Sequence, residues 1–308
     1  MQTDNYFFEE ESVLKKTAIR PRRSVLYMPG SNSRAMEKAK TIPADVIVFD
    51  LEDAVAPDQK EAARESILAV LRAGGYGRRE LVIRINGLET PWGDADLRAA
   101  ATSGADAICV PKVETAEQVL ELAARMERYG APAEQGLWVM AETPRGILNI
   151  QQIASAHPRL DLLMLGTSDL AKDLRVPHRP DRIGFITSLS LCVLAARANG
   201  LDVLDGVHLN INDADGLREV CEQGRALGFD GKTLIHPNQV YIANEAFGLD
   251  AQAVDNARRV IAAWQEAERQ GKGVAVLDDK LVENLHAAEA RRVLQLSDAI
   301  AALEGASA

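Results

Sequence analysis

Two carboxylates, Glu142 and Asp169, have the types and setting to do chemistry. Each closes a short apolar run, LWVMA and LLMLG, and each is followed by a helix start. After Glu142 comes Thr143-Pro144, and proline at the first helical position forfeits no needed hydrogen bond; after Asp169 comes Leu-Ala-Lys. If the two runs are neighbouring parallel strands, their C-terminal ends set two oxygen ligands side by side. Positions left open for water and substrate then make a site of the kind Mg²⁺ requires. Either carboxylate alone could equally cap its own helix. With Glu52 and Asp53 of VFDLED at the same mouth, four negative charges would repel unless a cation sat among them. A metal site is therefore the expectation.

Arg84 lies in VIRING, inside an otherwise apolar run. An arginine so placed needs an anionic partner. It is either a structural ion pair with Glu52 or Asp53, or a cation that holds substrate and stabilises negative charge developing on an oxygen. Lys112, in VPKVE, could form a Schiff base with a carbonyl, but charge balance is the simpler role. His236, in LIHP, reads as structural. His157, His178, His208 and His286 lack metal-ligand spacing, which argues against zinc. Arg22, Arg23, Arg34 and Lys38 cluster near SVLYMPG, and the helix start in GSNSRAMEKA offers N–H groups that suit a phosphate.

The elements that must position these groups follow a repeat of short apolar run, turn and helical segment. Strands are expected at 24–30, 45–53, 80–86, 107–113, 137–143, 162–169, 202–209 and 232–237. Helices such as QKEAARESILAVLRAG, TAEQVLELAARMERYG and IGFITSLSLCVLAARANG intervene, with Gly74, Gly130 and Gly200 where C-caps belong. Eight such units match a (β/α)₈ TIM barrel. A doubly wound sheet normally uses fewer strands, and no GxGxxG follows the first one. Every polar residue of interest then falls at a strand's C-terminal end, the face on which such barrels build active sites.

Residues 1–20 read as an arm and 21–247 as the barrel. Residues 248–308 read as a C-terminal helical extension, with amphipathic AVDNARRVIAAWQEAERQ, a loop or hairpin at GKGVAVLDDKL and a last helix near 281–304. This tail is long for a barrel cap, so it is expected to pack on a neighbouring subunit or over the mouth.

The 308 residues are 47% hydrophobic with a formal charge of −10, which argues against an extended nucleic-acid surface. Three scattered cysteines make no disulfide framework, and Cys109 and Cys192 read as reduced core residues. The acidic N-terminus has no signal-peptide pattern. No apolar run approaches the roughly 20 residues of a membrane span, so a cytoplasmic protein is expected.

The segments RSVLYMPGS, VFDLEDAV, VIRING, VPKVE, AETPRGI, GTSDLAKDL and GFDGKTLIHPNQV, in this order from about residue 22 to 240, resemble the citrate lyase β-subunit-like family of the HpcH/HpaI aldolase superfamily. The tail GKGVAVLDDKLVENLHAAEA is most similar to stand-alone malyl-CoA enzymes. The resemblance implies a homotrimeric or hexameric barrel that binds Mg²⁺ (or Mn²⁺), a CoA thioester and a 2-oxo acid such as glyoxylate or pyruvate. It implies metal ligands at Glu142 and Asp169, metal-bound waters held by Glu52 and Asp53, and a substrate arginine at Arg84. The region of Arg22, Arg34 and Lys38 would face CoA. In the family's lyases a C-terminal aspartate of one subunit acts as acid/base at its neighbour's site, and Glu283 stands there, with Asp278 and Asp279 nearby.

A Mg²⁺-dependent lyase on a malyl-CoA or citramalyl-CoA type 3-hydroxyacyl-CoA is the leading expectation. The alternatives are thioester hydrolysis to malate and CoA in the same pocket, an aldolase on free acids, and a non-catalytic or complex-bound citrate lyase β subunit.

Overall fold

The computed structural model describes residues 19–305; all but two residues of the expected N-terminal arm lie outside that range. Eight strands form a closed parallel barrel in sequence order. They are β1 (Ser24–Pro29), β2 (Val46–Asp50), β3 (Glu80–Arg84), β4 (Ala107–Val110), β5 (Gly136–Ala141), β6 (Leu160–Leu165), β7 (Asp202–Asp205) and β8 (Gly231–Leu234). The fold is the expected (β/α)₈ barrel, with a helical extension after it. Most of the strands are apolar runs because both faces are covered; β8, GKTL, instead buries Lys232 against Asp205 of β7. Inside, Val25, Val46, Val48, Val82, Cys109, Trp138, Met140, Leu162, Met164 and Leu204 fill the barrel. The alternate residues pack outward against the helices.

All eight expected strands form, but their expected ends run too far. The ladder stops at Asp50, Arg84, Val110, Ala141, Leu165, Asp205 and Leu234, and the polar residues beyond are spent on loops and caps. Asp169 belongs to the first turn of the helix Thr167–Leu174, four residues past β6. The helices start and stop where their chemistry says. Thr115 and Gln118 make a reciprocal capping box. Gly74 and Gly200 end their helices at φ 65° and 63°, a left-handed backbone that glycine adopts without penalty. Cys109, Cys192 and Cys221 are free and buried.

The N-terminal end of the barrel is closed by buried ion pairs. Arg22 donates to Glu80 at 2.7 Å through both Nε and Nη2, and to Asp202 at 2.5 Å. Arg23 makes a bidentate pair with Asp45. The extension packs on this same end. Its helix Ala251–Arg269 leads to a hairpin, β9 (Ala275–Leu277) and β10 (Lys280–Val282), and the helix Asn284–Gly305 returns. Glu304 near its end accepts from Arg23 at 3.2 Å. At the far end Trp264, Ala267, Ala275, Val282 and Ala287 form a small core of their own. Within one chain, then, the extension lies away from the barrel mouth, contrary to one of its two expected placements. Among the described residues no helix is long and apolar enough to cross a membrane.

Candidate active site

Strand alternation decides what points into the mouth. In β2, Val46 and Val48 face the interior, so Asp50 continues inward. In β3, Val82 is followed by Arg84; after β5, Trp138 and Met140 are followed by Glu142. Strand register sets Asp50 directly opposite Arg84. Their side chains meet in two parallel bonds, Nε to Oδ1 and Nη2 to Oδ2, both 2.7 Å. The third arm of the guanidinium, Nη1, lies 2.7 Å from Glu52 Oε2 and 3.7 Å from Asp53 Oδ2. The guanidinium also stacks over the Tyr27 ring, 4.7 Å from its centroid, a favourable cation–π contact. Burial works against the Arg84 charge, but Asp50 and Glu52 outweigh it and hold its pKa above the ordinary arginine value.

Asp50 also shapes the loop that follows it. It accepts the backbone N–H of Glu52 at 2.9 Å and of Ala54 at 3.2 Å, which curls the chain so that Glu52 turns back over Arg84. Lys60 Nζ fastens the same loop through the carbonyls of Leu51 and Glu52, each at 2.9 Å. Asp50 is therefore the main anchor of Arg84, a part that the sequence reading assigned to Glu52 or Asp53.

Lys112 ties the remaining carboxylates together. Its backbone is left-handed, φ 53°, and this aims its N–H at Glu142 Oε1, 2.8 Å away. Its ammonium turns the other way, donating to Glu52 Oε1 at 2.8 Å and lying 3.5 Å from Asp169 Oδ2. So Glu52, Glu142 and Asp169 surround one residue, and the four carboxylates expected to converge are interleaved with two cations. Burial first, and then the Glu52 charge, push Glu142 up to about 7. Glu52 is also raised, chiefly by burial, with Arg84 and Lys112 opposing.

The donors fit a hard divalent cation. Glu142 and Asp169 offer only carboxylate oxygens, the ligand type of Mg²⁺ rather than of zinc or copper. Among the described residues no three His, Cys, Asp or Glu side chains are grouped to hold an ion unaided, so water and substrate oxygens would complete the shell. Gly166 makes room for Glu142: a Cβ there would lie 2.5 Å from Glu142 Cβ and closer still to its carboxylate. Asp169 is carried on the helix that begins just after Gly166.

Other expected site residues lie elsewhere. Arg22 precedes β1 and is saturated by Glu80 and Asp202 at the opposite end of the barrel, so its assignment to CoA is corrected: residues ahead of a strand sit at the closed end. Arg34 and Lys38 are exposed on the helix Ser33–Ala39, which follows β1 on the mouth side. Glu283 lies at the hairpin end of the extension, where its N–H donates to His286 Nδ1, remote from Glu142 of the same chain. His236 caps the turn after β8, its Nδ1 accepting from Asn238 N, a structural role.

Residues 23–237 match the model of the HpcH/HpaI aldolase/citrate lyase family. The chain belongs to that family. It is 52% identical over 287 residues to a (3S)-malyl-CoA thioesterase of Cereibacter sphaeroides (strain ATCC 17025 / ATH 2.4.3), covering 93% of this chain and 98% of the relative. The citrate lyase subunit beta of Escherichia coli (strain K12) is 34% identical, covering 92% and 96%. Among solved structures, CitE from Mycobacterium tuberculosis in complex with magnesium, acetoacetate and coenzyme A superposes with a TM-score of 0.70 at 31% identity, covering 91% of this chain and 99% of that one. Family membership thus covers the barrel strands that carry Asp50, Arg84, Glu142 and the helix of Asp169.

Proposed function

We propose that this protein is a Mg²⁺-dependent enzyme acting on a malyl-CoA type thioester, and that it hydrolyses that thioester to a free 2-hydroxy acid and CoA. The observation that carries the metal reading is the convergence of Glu142 and Asp169 on Lys112 at the barrel mouth. The observation that favours hydrolysis is the 52% identity to a (3S)-malyl-CoA thioesterase along 98% of its length. The magnesium in the CitE complex supports the choice of ion.

Glu142 and Asp169 would hold the ion, which supplies Lewis-acid polarisation and a template for the substrate. Arg84, fixed on two sides by Asp50 and Glu52, presents a rigid positive charge to the oxygen that becomes negative as water attacks the thioester carbon. Glu52 and Asp53 line the approach and orient water. The C–S bond breaks, CoA leaves as its thiol after taking a proton, and the acid is released. Glu283 cannot serve its own mouth from the extension, so its part as the general base requires a neighbouring copy in a trimer or hexamer. Arg34 and Lys38, exposed beside the mouth, are the cations offered to CoA.

A second reading is supported by the citrate lyase relatives and by acetoacetate in the CitE complex. In it the same mouth cleaves the C–C bond of malyl-CoA or citramalyl-CoA, giving an acyl-CoA and glyoxylate or pyruvate. Here Arg84 stabilises the thioester enolate and Glu283 returns a proton to its carbon. Incubation with malyl-CoA and Mg²⁺ separates the two. Free thiol and malate without glyoxylate support hydrolysis; glyoxylate with acetyl-CoA selects the lyase. No turnover of either kind, in the presence of Mg²⁺, would end both.

A further inference from the structure

The ammonium of Lys112 and a divalent ion on Glu142 and Asp169 would both draw on Asp169. Lys112 Nζ lies 2.8 Å from Glu52 Oε1 and 3.5 Å from Asp169 Oδ2, while its backbone N–H holds Glu142 Oε1 at 2.8 Å. Among the described residues Lys112 is the one cation in an ion pair with Asp169, and its backbone N–H is the one hydrogen-bond donor to the Glu142 side chain. The two functions come from one residue in a backbone conformation that lysine rarely adopts, φ 53°. Non-glycine residues held there are costly and persist where the surroundings over-determine them, often at functional sites. Glycine would present the same N–H without that cost. What lysine adds is charge: a tethered cation on a flexible stem, able to move off its carboxylates.

We propose that Lys112 is a positioning residue that sets the affinity of the site for its metal, acting as a built-in competitor. Its main chain fixes one oxygen of Glu142 in place, and its ammonium occupies Asp169 and Glu52 until a divalent ion displaces it from Asp169. The released ammonium stays bound to Glu52, which in turn keeps Glu52 on Arg84, 2.7 Å away. This inference rests on the reading of Glu142 and Asp169 as metal ligands, and the test separates the two.

The test is calorimetric titration of Mg²⁺ into the substrate-free protein, with thermal unfolding to confirm that each variant is folded. Glu142→Gln and Asp169→Asn should each weaken binding at least tenfold. Lys112→Gly and Lys112→Met both keep the backbone N–H and delete the charge; Met keeps the bulk, and Gly relieves the strained backbone. Both should bind Mg²⁺ at least fivefold tighter than the wild type. A Lys112 that merely supports the site predicts the opposite, weaker binding in both. If the carboxylate variants weaken binding but the Lys112 variants bind no tighter than wild type, the competitor role is refuted while the metal ligands stand. If the carboxylate variants bind as the wild type does, the ligand reading fails and the inference falls with it.

Discussion

Asp50 is the sharpest place to perturb the site, because it is buried, isosterically replaceable and bonded to a single charge. Asp50→Asn keeps the shape but turns one of the two oxygens facing Arg84 into an NH₂ group. One of the two 2.7 Å bonds then becomes donor against donor, and the other, now to a neutral carbonyl, keeps only the charge of the guanidinium. A hydrogen bond to a charged group contributes about 1.5–3 kcal/mol, so losing one and weakening the second costs about 2–4 kcal/mol. The cost stays below that of a fully unpaired buried arginine, because Glu52 Oε2 remains 2.7 Å from Nη1. The same change weakens the acceptors for Glu52 N and Ala54 N, so the loop carrying Glu52 should loosen as well. Urea unfolding should therefore show a midpoint lowered at constant slope, and turnover of malyl-CoA should fall by more than tenfold. Glu52→Gln should cost less stability, because Glu52 faces the half-exposed Lys112 as well as Arg84. An Asp50→Asn protein within about 0.5 kcal/mol of wild type, the scatter of ordinary surface changes, would refute the claim that Asp50 anchors Arg84.

Gly166→Ala should weaken Mg²⁺ binding and activity at least tenfold in a folded protein, since the new Cβ overlaps Glu142 at its own Cβ; calorimetry giving wild-type affinity would contradict this. Arg22→Ala should lower stability by about 3 kcal/mol through loss of a buried pair, yet leave the KM for the CoA thioester unchanged, and a raised KM would return Arg22 to the CoA site. His208 has its pKa lowered below 6.5 by burial and then by Lys232. Between that lowered value and 6.5 the unfolded chain binds more protons than the folded one, so this group's contribution to stability falls as pH drops through that window. NMR titration of His208 should give a midpoint below 6.5, and a midpoint above it would refute the assignment.

The barrel was legible because most strands are apolar runs between turn residues, and several helices begin at a residue that caps them, as Thr115, Thr143, Asp213 and Asp250 do. Where the ladder would stop was not legible: GTSD and LED are as hydrogen-bond-capable as any strand end, and only the closed barrel decides which residues leave the sheet. In VFDLED three carboxylates compete for Arg84, and although the period of two from Val46 and Val48 carries Asp50 inward, only the register with β3 places it opposite Arg84. Arg22 and Arg34 are near in sequence, yet a strand of six residues runs between them and sets them at opposite ends of the barrel. The left-handed backbone of Lys112 left no mark on VPKVE, because only the requirement to reach Glu142 and Glu52 at once imposes it. Nor could the tail show that it folds back on the closed end through Glu304 and Arg23.

On the proposed function, one divalent ion is gripped jointly by Glu142 and Asp169. Crystals soaked in Mn²⁺, which stands in for Mg²⁺ and scatters anomalously, test it most directly. A single strong anomalous peak is expected at the barrel mouth within coordinating distance of both carboxylates, lost in Glu142→Gln. A peak that touches only one of them, or that lies elsewhere on the barrel, would contradict it.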